Sequence, residues 1–145
     1  MEYIVSNRDV FVRLDPGEEM HEILQGLSKE GITSAAITSG IGRVHDAEVG
    51  FLDENGIYCR IKYDGPVELL STQGNLCPGP DGAFTHIHVV LCDDAHTVLG
   101  GHLFSATVTV TAEIHLRILD KGMTPNMMCR VAGDGEFVKL ELRRE

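Results

Sequence analysis

Basic residues are scarce in this chain: 12 Lys and Arg stand against 22 Asp and Glu, giving a net charge of −10. Neutralisation of phosphates by Lys and Arg carries much of a protein's affinity for DNA, and an acidic surface opposes the approach of another polyanion. The basic residues are also dispersed, and the adjacent pair Arg143-Arg144 lies beside Glu141 and Glu145. Direct nucleic-acid binding by the lone chain is therefore disfavoured. The four cysteines, Cys59, Cys77, Cys92 and Cys129, include no Cys-x-x-Cys pair, which argues against a cysteine-based zinc site. In a reducing compartment they read as small, partly buried thiols. No apolar run approaches the ~20 residues of a membrane-spanning helix, so no membrane association is expected. The first six residues lack both a basic region and a long apolar core, so no signal peptide is expected and the cytoplasm is the default location. No cofactor fingerprint, nucleophile elbow or pair of catalytic acids is present. The glycine-rich segment Thr38-Ser39-Gly40-Ile41-Gly42-Arg43 lacks the Gly-Lys-Ser/Thr ending and the following helix of a phosphate loop. Its glycines instead suit a close backbone approach to another element, with Arg43 available to pair an anion or a carboxylate.

What is present is enough for one domain spanning residues 1–145, with 43% hydrophobic and 23% charged residues, ordinary globular values. Tyr3-Ile4-Val5 and residues 10–14 read as opening strands around an Asn7-Arg8-Asp9 turn. Asp15-Pro16-Gly17-Glu18-Glu19 reads as a helix start, with Asp15 as cap and Pro16 in the first turn. Met20, Ile23, Leu24 and Leu27 then form one buried stripe, and Lys29 and Gly31 close the helix. His21 flanks that stripe and is expected in solvent. Residues 32–37, 44–52, 57–63 and 67–76 read as strands, with an Asp53-Glu54-Asn55-Gly56 hairpin turn between the second and third. Residues 77–82, rich in Pro and Gly, read as a loop. Residues 107–118 alternate strictly between Thr or charged residues and apolar ones, the clearest strand of the chain. A turn over residues 120–126 and a final strand over 136–142 complete an α+β domain, a mostly antiparallel sheet with a helix on one face.

The chemistry concentrates in Thr85-His86-Ile87-His88-Val89-Val90-Leu91 and Val98-Leu99-Gly100-Gly101-His102-Leu103. Side chains alternate along a strand, so His86 and His88 share one face while Ile87, Val89 and Leu91 share the other. A hairpin through residues 92–97 brings His102 near His88. A two-residue turn at Asp94-Ala95 sets Gly101 opposite His88. A three-residue turn over Asp94-Ala95-His96, or a bulge at Gly100-Gly101, sets His102 there instead. Three imidazoles in that arrangement suit zinc, copper, nickel or iron, and not magnesium or calcium. Spacing alone leaves a second reading open, three half-buried strand histidines hydrogen-bonded to neighbours. His45, His96 and His115 read as loop or surface residues, and Asp93-Asp94 as a solvated turn.

The set Gly82, Phe84, His86, His88 and Leu91, with Val98, Gly100-Gly101-His102-Leu103 and Thr111-Ala112-Glu113, resembles the PPC domain (plants and prokaryotes conserved). Thr38-Ser39-Gly40-Ile41-Gly42 and Val67-Glu68-Leu69-Leu70-Ser71 with Gly74-Asn75 are similar to the same family. The resemblance implies a homotrimer of α+β domains with His86, His88 and His102 as ligands of zinc. In the plant members an Arg-Gly-Arg-Pro AT-hook grips DNA; this sequence contains no such segment, and the nucleic-acid role does not carry over. Three functions follow in order of preference. The first is a metal site with an open position for a small-molecule ligand, with Glu113 as candidate general base and Arg43 and Gln73 as candidate substrate contacts. The second is an oligomerisation or adaptor module with a structural metal, and the third is DNA binding.

Overall fold

The computed structural model describes residues 1–119 and 128–143, so the turn expected over 120–126 lies outside the described residues. Strands β1 (Glu2–Ser6), β2 (Asp9–Leu14), β3 (Ala35–Leu52), β4 (Tyr58–Lys62), β5 (Val67–Gly79), β6 (Gly82–Cys92) and β7 (Val98–Ile118) form one antiparallel sheet. Its order is β1-β2-β7-β6-β5-β3-β4, and β7 also pairs with β3. That extra pairing closes β3, β5, β6 and β7 on themselves. Closure removes the unpaired edges that an open sheet would leave on those four strands. Strands β8 (Met128–Ala132) and β9 (Val138–Leu142) make a separate hairpin.

The α+β expectation holds, and the alternation that suggested it explains the core. Val10, Val12 and Leu14 of β2, Ile87, Val89 and Leu91 of β6, and Ala112, Ile114 and Leu116 of β7 are all buried. Burying each larger aliphatic side chain contributes about 1.5–3 kcal/mol before entropy is charged against it. Helix α1 (Met20–Gly26) adds Met20 and Leu24 to the same core.

The expected helix start is corrected. Asp15 does not cap it; Glu19 does, its carboxylate accepting from Glu22 N at 2.8 Å. Gly17 adopts φ 89°, which no right-handed helix allows, and its N–H donates to Val108 O at 2.8 Å. Val108 N returns a bond to Glu18 O at 2.9 Å, so residues 17 and 18 pair with β7 instead of winding. Asp15 takes Arg13 Nε at 3.1 Å. The far end matches expectation, with Gly31 at φ 86° after a 3-10 turn over Leu27–Glu30.

The glycine-rich residues 38–43 run through the middle of β3, and the expected close approach is there: a Cβ on Gly42 would press on the Thr111 carbonyl and Ala112 Cα of β7. Residues 77–82 differ from expectation and do not form a free loop. Cys77 pairs with Phe84 and Gly79 with Gly82, leaving Pro80-Asp81 as a tight turn between β5 and β6. Proline survives there because the ladder runs out at that end.

Candidate metal centre

The β6–β7 hairpin sets His88 opposite His102. Asp93 N donates to Thr97 O at 3.1 Å, which leaves a three-residue turn over Asp94, Ala95 and His96. His96 takes φ 60° there. The three-residue turn, and no bulge at Gly100-Gly101, therefore sets the register. The glycines serve close approach instead: a Cβ on Gly100 would meet Val89 O, and one on Gly101 would meet Gly50 O at 2.7 Å. On the other side of β6, Asn75 of β5 lies opposite His86 and Gln73 opposite His88. A side chain at Gly74, between them, would strike the His86 carbonyl oxygen.

One ring nitrogen from each of His86, His88 and His102 lies within 4.8 Å of the others. The Nε2 atoms of His86 and His88 are 3.2 Å apart. Tetrahedral zinc with Zn–N bonds of about 2.0–2.1 Å separates its ligand nitrogens by about 3.3 Å. One pair is thus already at ligand spacing. His88 is exposed, while His86 and His102 are half-buried.

The surroundings hold the rings in place. His102 stacks on Tyr58 with centroids 4.9 Å apart and meets Phe104 edge-on at 4.8 Å. The Arg60 guanidinium lies 3.8 Å over the Phe104 ring. Arg130 of β8, 5% exposed, places Nη2 at 2.9 Å from His86 Nδ1 and 3.0 Å from Asn75 Oδ1, with Nη1 donating to Val138 O at 2.9 Å. Arginine only donates, so in the metal-free protein His86 Nδ1 accepts and Nε2 carries the ring proton towards His88; ligation through Nε2 requires that proton to move to Nδ1 and Arg130 to give up this contact. Burial, then the Arg130 charge, lowers the His86 pKa to about 4; burial, then His86, lowers that of His102 to about 4. Both rings are neutral at pH 7, as metal ligands must be.

The fit to a metal rests on one more atom. Among the described residues His102 Nδ1 is buried without a hydrogen-bond partner, a costly condition that coordination at that atom would relieve. Three convergent imidazoles, one carrying an unspent nitrogen, fit a borderline divalent metal such as zinc.

Of the other residues singled out from sequence, Gln73 lies opposite His88 in the β5–β6 register. Arg43 and Glu113 lie away from the histidines. Arg43 pairs with Glu68 at 3.5 Å on β3, seven residues before the Gly50 that faces His102. Glu113 is exposed and lies eleven residues beyond His102 on β7, between Arg13 and Ile41, up to about 36 Å along the strand. His45 pairs with Asp46, and His115 with Asp9 and Thr38.

His21 overturns its expectation. Beyond His88 and His102 the strands part, and α1 packs against both. His21 sits in that gap, Nδ1 2.7 Å from Thr85 Oγ1 and Nε2 3.0 Å from Leu103 O, and burial lowers its pKa. Its neighbours Met20 and Leu24 in the stripe were the available signal. A cavity of about 350 Å³ opens beside it, bounded by His86, His102, Thr85, Phe104 and, from the segment before β9, Glu136 and Phe137. Sequence reasoning missed Arg130 and Glu136, which reach the site only because the β8–β9 hairpin folds beside β5.

A family model of the Plants and Prokaryotes Conserved (PCC) domain matches residues 1–120. The fold is similar to a plant- and prokaryote-conserved protein of Pyrococcus horikoshii, with TM-score 0.80 and 27% identity, covering 99% of this chain and 97% of that one. It is similar to a metal-containing protein of Archaeoglobus fulgidus, with TM-score 0.79 and 33% identity, covering 98% and 97%. A Bacteroides thetaiotaomicron protein that bears a provisional DNA-binding name shares the fold at TM-score 0.84 and 19% identity, covering 99% and 98%. No curated protein matches the chain in a sequence search.

Proposed function

The chain belongs to the Plants and Prokaryotes Conserved (PCC) domain family, and from that premise we propose a homotrimeric, single-domain metal-binding protein whose His86, His88 and His102 hold zinc. The convergence of three ring nitrogens within 4.8 Å carries this reading. The 33% identical relative described as metal-containing supports it. Three protein ligands leave a fourth position for water or a small molecule, and zinc bound there lowers the pKa of its water to about 7. The chain's own residues supply the rest. His86 and His102 stay neutral, Tyr58 and Phe104 fix the His102 ring, and Gln73 offers a polar contact beside His88. Glu136, on the cavity wall, is a nearer acid–base candidate than Glu113.

Self-association is supported by apolar residues away from the core. Ile41, Leu70 and Val110 are 58%, 46% and 57% exposed and share one groove on the β3–β5–β7 surface. A patch of that kind marks an interaction surface. That surface equally favours the second reading, an oligomerisation module in which the metal stabilises the fold. Among the described residues no helix is long and apolar enough to cross a membrane, and a cytoplasmic location is part of the proposal. With a net charge of −10, direct nucleic-acid binding stays disfavoured.

Elemental analysis of purified protein tests the metal reading. About one zinc per chain is expected for the wild type and near none for His102→Ala. Full metal in that variant removes His102 from the ligand set. Light scattering at three times the chain mass is expected for the trimer, and a monomer or dimer mass contradicts it.

A further inference from the structure

An open coordination position requires only space for water, yet the space beside the histidines is a shaped cavity of about 350 Å³. At the interior packing density of ~0.74, about a dozen non-hydrogen atoms fill such a volume. Four of its walls are aromatic: Tyr58 of β4, Phe84 of β6, Phe104 of β7 and Phe137 before β9. The rings come from four separate parts of the chain. Aromatic walls with a few fixed polar groups are the usual lining of a small-molecule site.

The polar groups on its floor have settled roles. Leu103 O can only accept, so His21 Nε2 carries the ring proton and Nδ1 accepts from the Thr85 hydroxyl at 2.7 Å. Thr85 Oγ1 in turn accepts from Gln25 Nε2 at 3.0 Å. Gln25 keeps its carbonyl oxygen and a second N–H, so the floor offers both an acceptor and a donor. Among the described residues no Lys or Arg lines the cavity. The wall carboxylate of Glu136 accepts from Tyr58 N at 2.9 Å and pairs with Arg60 at 3.6 Å, so it is already met by a cation.

We infer that this cavity binds a flat aromatic molecule of one or two rings. The ring packs among Phe84, Phe104 and Phe137, and a polar edge meets Gln25 and Thr85. A ligating heteroatom, an azole nitrogen or a carbonyl oxygen, reaches the histidine-bound metal. The last of these contacts rests on the three-histidine reading; the aromatic selectivity does not.

Calorimetric titration with two pairs of probes separates the two. On zinc-loaded protein, benzimidazole is expected to bind at least tenfold more tightly than imidazole, which has the same ligating nitrogen and no second ring. Phe137→Ala, at a ring outside the hydrophobic core, is expected to erase most of that difference while leaving imidazole unchanged. On metal-free protein, indole, which has the shape of benzimidazole without its free nitrogen, is expected to bind and to weaken at least fivefold in Phe137→Ala. Benzimidazole no tighter than imidazole overturns the inference and leaves the metal reading standing. Indole binding that depends on Phe137, in a protein that takes up no zinc, sinks the metal reading and keeps the aromatic cavity. Indole binding that is absent or indifferent to Phe137 overturns the cavity.

Discussion

His88 and His102 face each other directly across the β6–β7 ladder, and the three-residue turn at Asp94-Ala95-His96 sets that pairing. A turn shorter by one residue would move His102 off the pair and its side chain to the other face. His96 stays out of the ligand set and has a conformational role, at φ 60°. That region costs a residue with a side chain about 1 kcal/mol, and glycine almost nothing. His96→Gly should raise unfolding stability in urea by about 0.5–1 kcal/mol and leave zinc content unchanged. Loss of zinc in this variant would contradict the assignment.

Gly74 is the point where packing and site meet. A methyl group there would collide with the His86 carbonyl oxygen. Overpacking between strands costs about 1–3 kcal/mol. Gly74→Ala should lose stability of that order and also lose zinc affinity, because β6 must shift to make room. A variant with wild-type zinc affinity would show that the strand has slack.

Acid should weaken the metal-free protein. His21, His86 and His102 all have pKa values below the ordinary 6.5, the latter two at about 4, chiefly through burial. The unfolded chain then binds more protons than the folded one between about pH 6.5 and 4, so stability rises with pH across that window. Melting temperature should hold above pH 7 and fall progressively from 6.5 toward 4. A melting temperature that rises on acidification would contradict neutral buried imidazoles.

Arg130 opposes the metal it sits beside. Its Nη2 is 2.9 Å from His86 Nδ1, and among the described residues no acidic side chain pairs with it. A unit charge about 6 Å from a divalent ion costs roughly 1.4 kcal/mol even at a dielectric constant of about 80. Arg130→Gln keeps an N–H donor and removes the charge, so zinc affinity measured against a chromophoric chelator should rise about tenfold. Unchanged or weaker binding would mean that the guanidinium supports the site.

Local patterns made much of this legible. Period-two alternation over residues 107–118 located the second half of β7 and its core face. The His-x-His spacing put two imidazoles on one side of β6, and the glycine pair before His102 marked a tight approach. What stayed hidden depended on contacts distant in sequence. The helix does not start at Asp15 because Gly17 finds its partner in Val108 of β7, about ninety residues ahead, which no capping rule anticipates. His21 read as solvated because nothing local shows that β6 and β7 part where α1 packs. Arg130 and Glu136 stayed invisible because β8 is short and carries no alternation. Glu113 has the residue type of a general base and belongs to a family motif, but strand length alone carries it away from the histidines.

The account turns on whether one ion joins the three rings. Diffraction data collected on either side of the zinc absorption edge, from crystals never exposed to chelator, test this most directly. The predicted result is one anomalous peak per chain, about 2.0–2.1 Å from a ring nitrogen of each of His86, His88 and His102. No peak among them, or a peak coordinated by other residues, would contradict it.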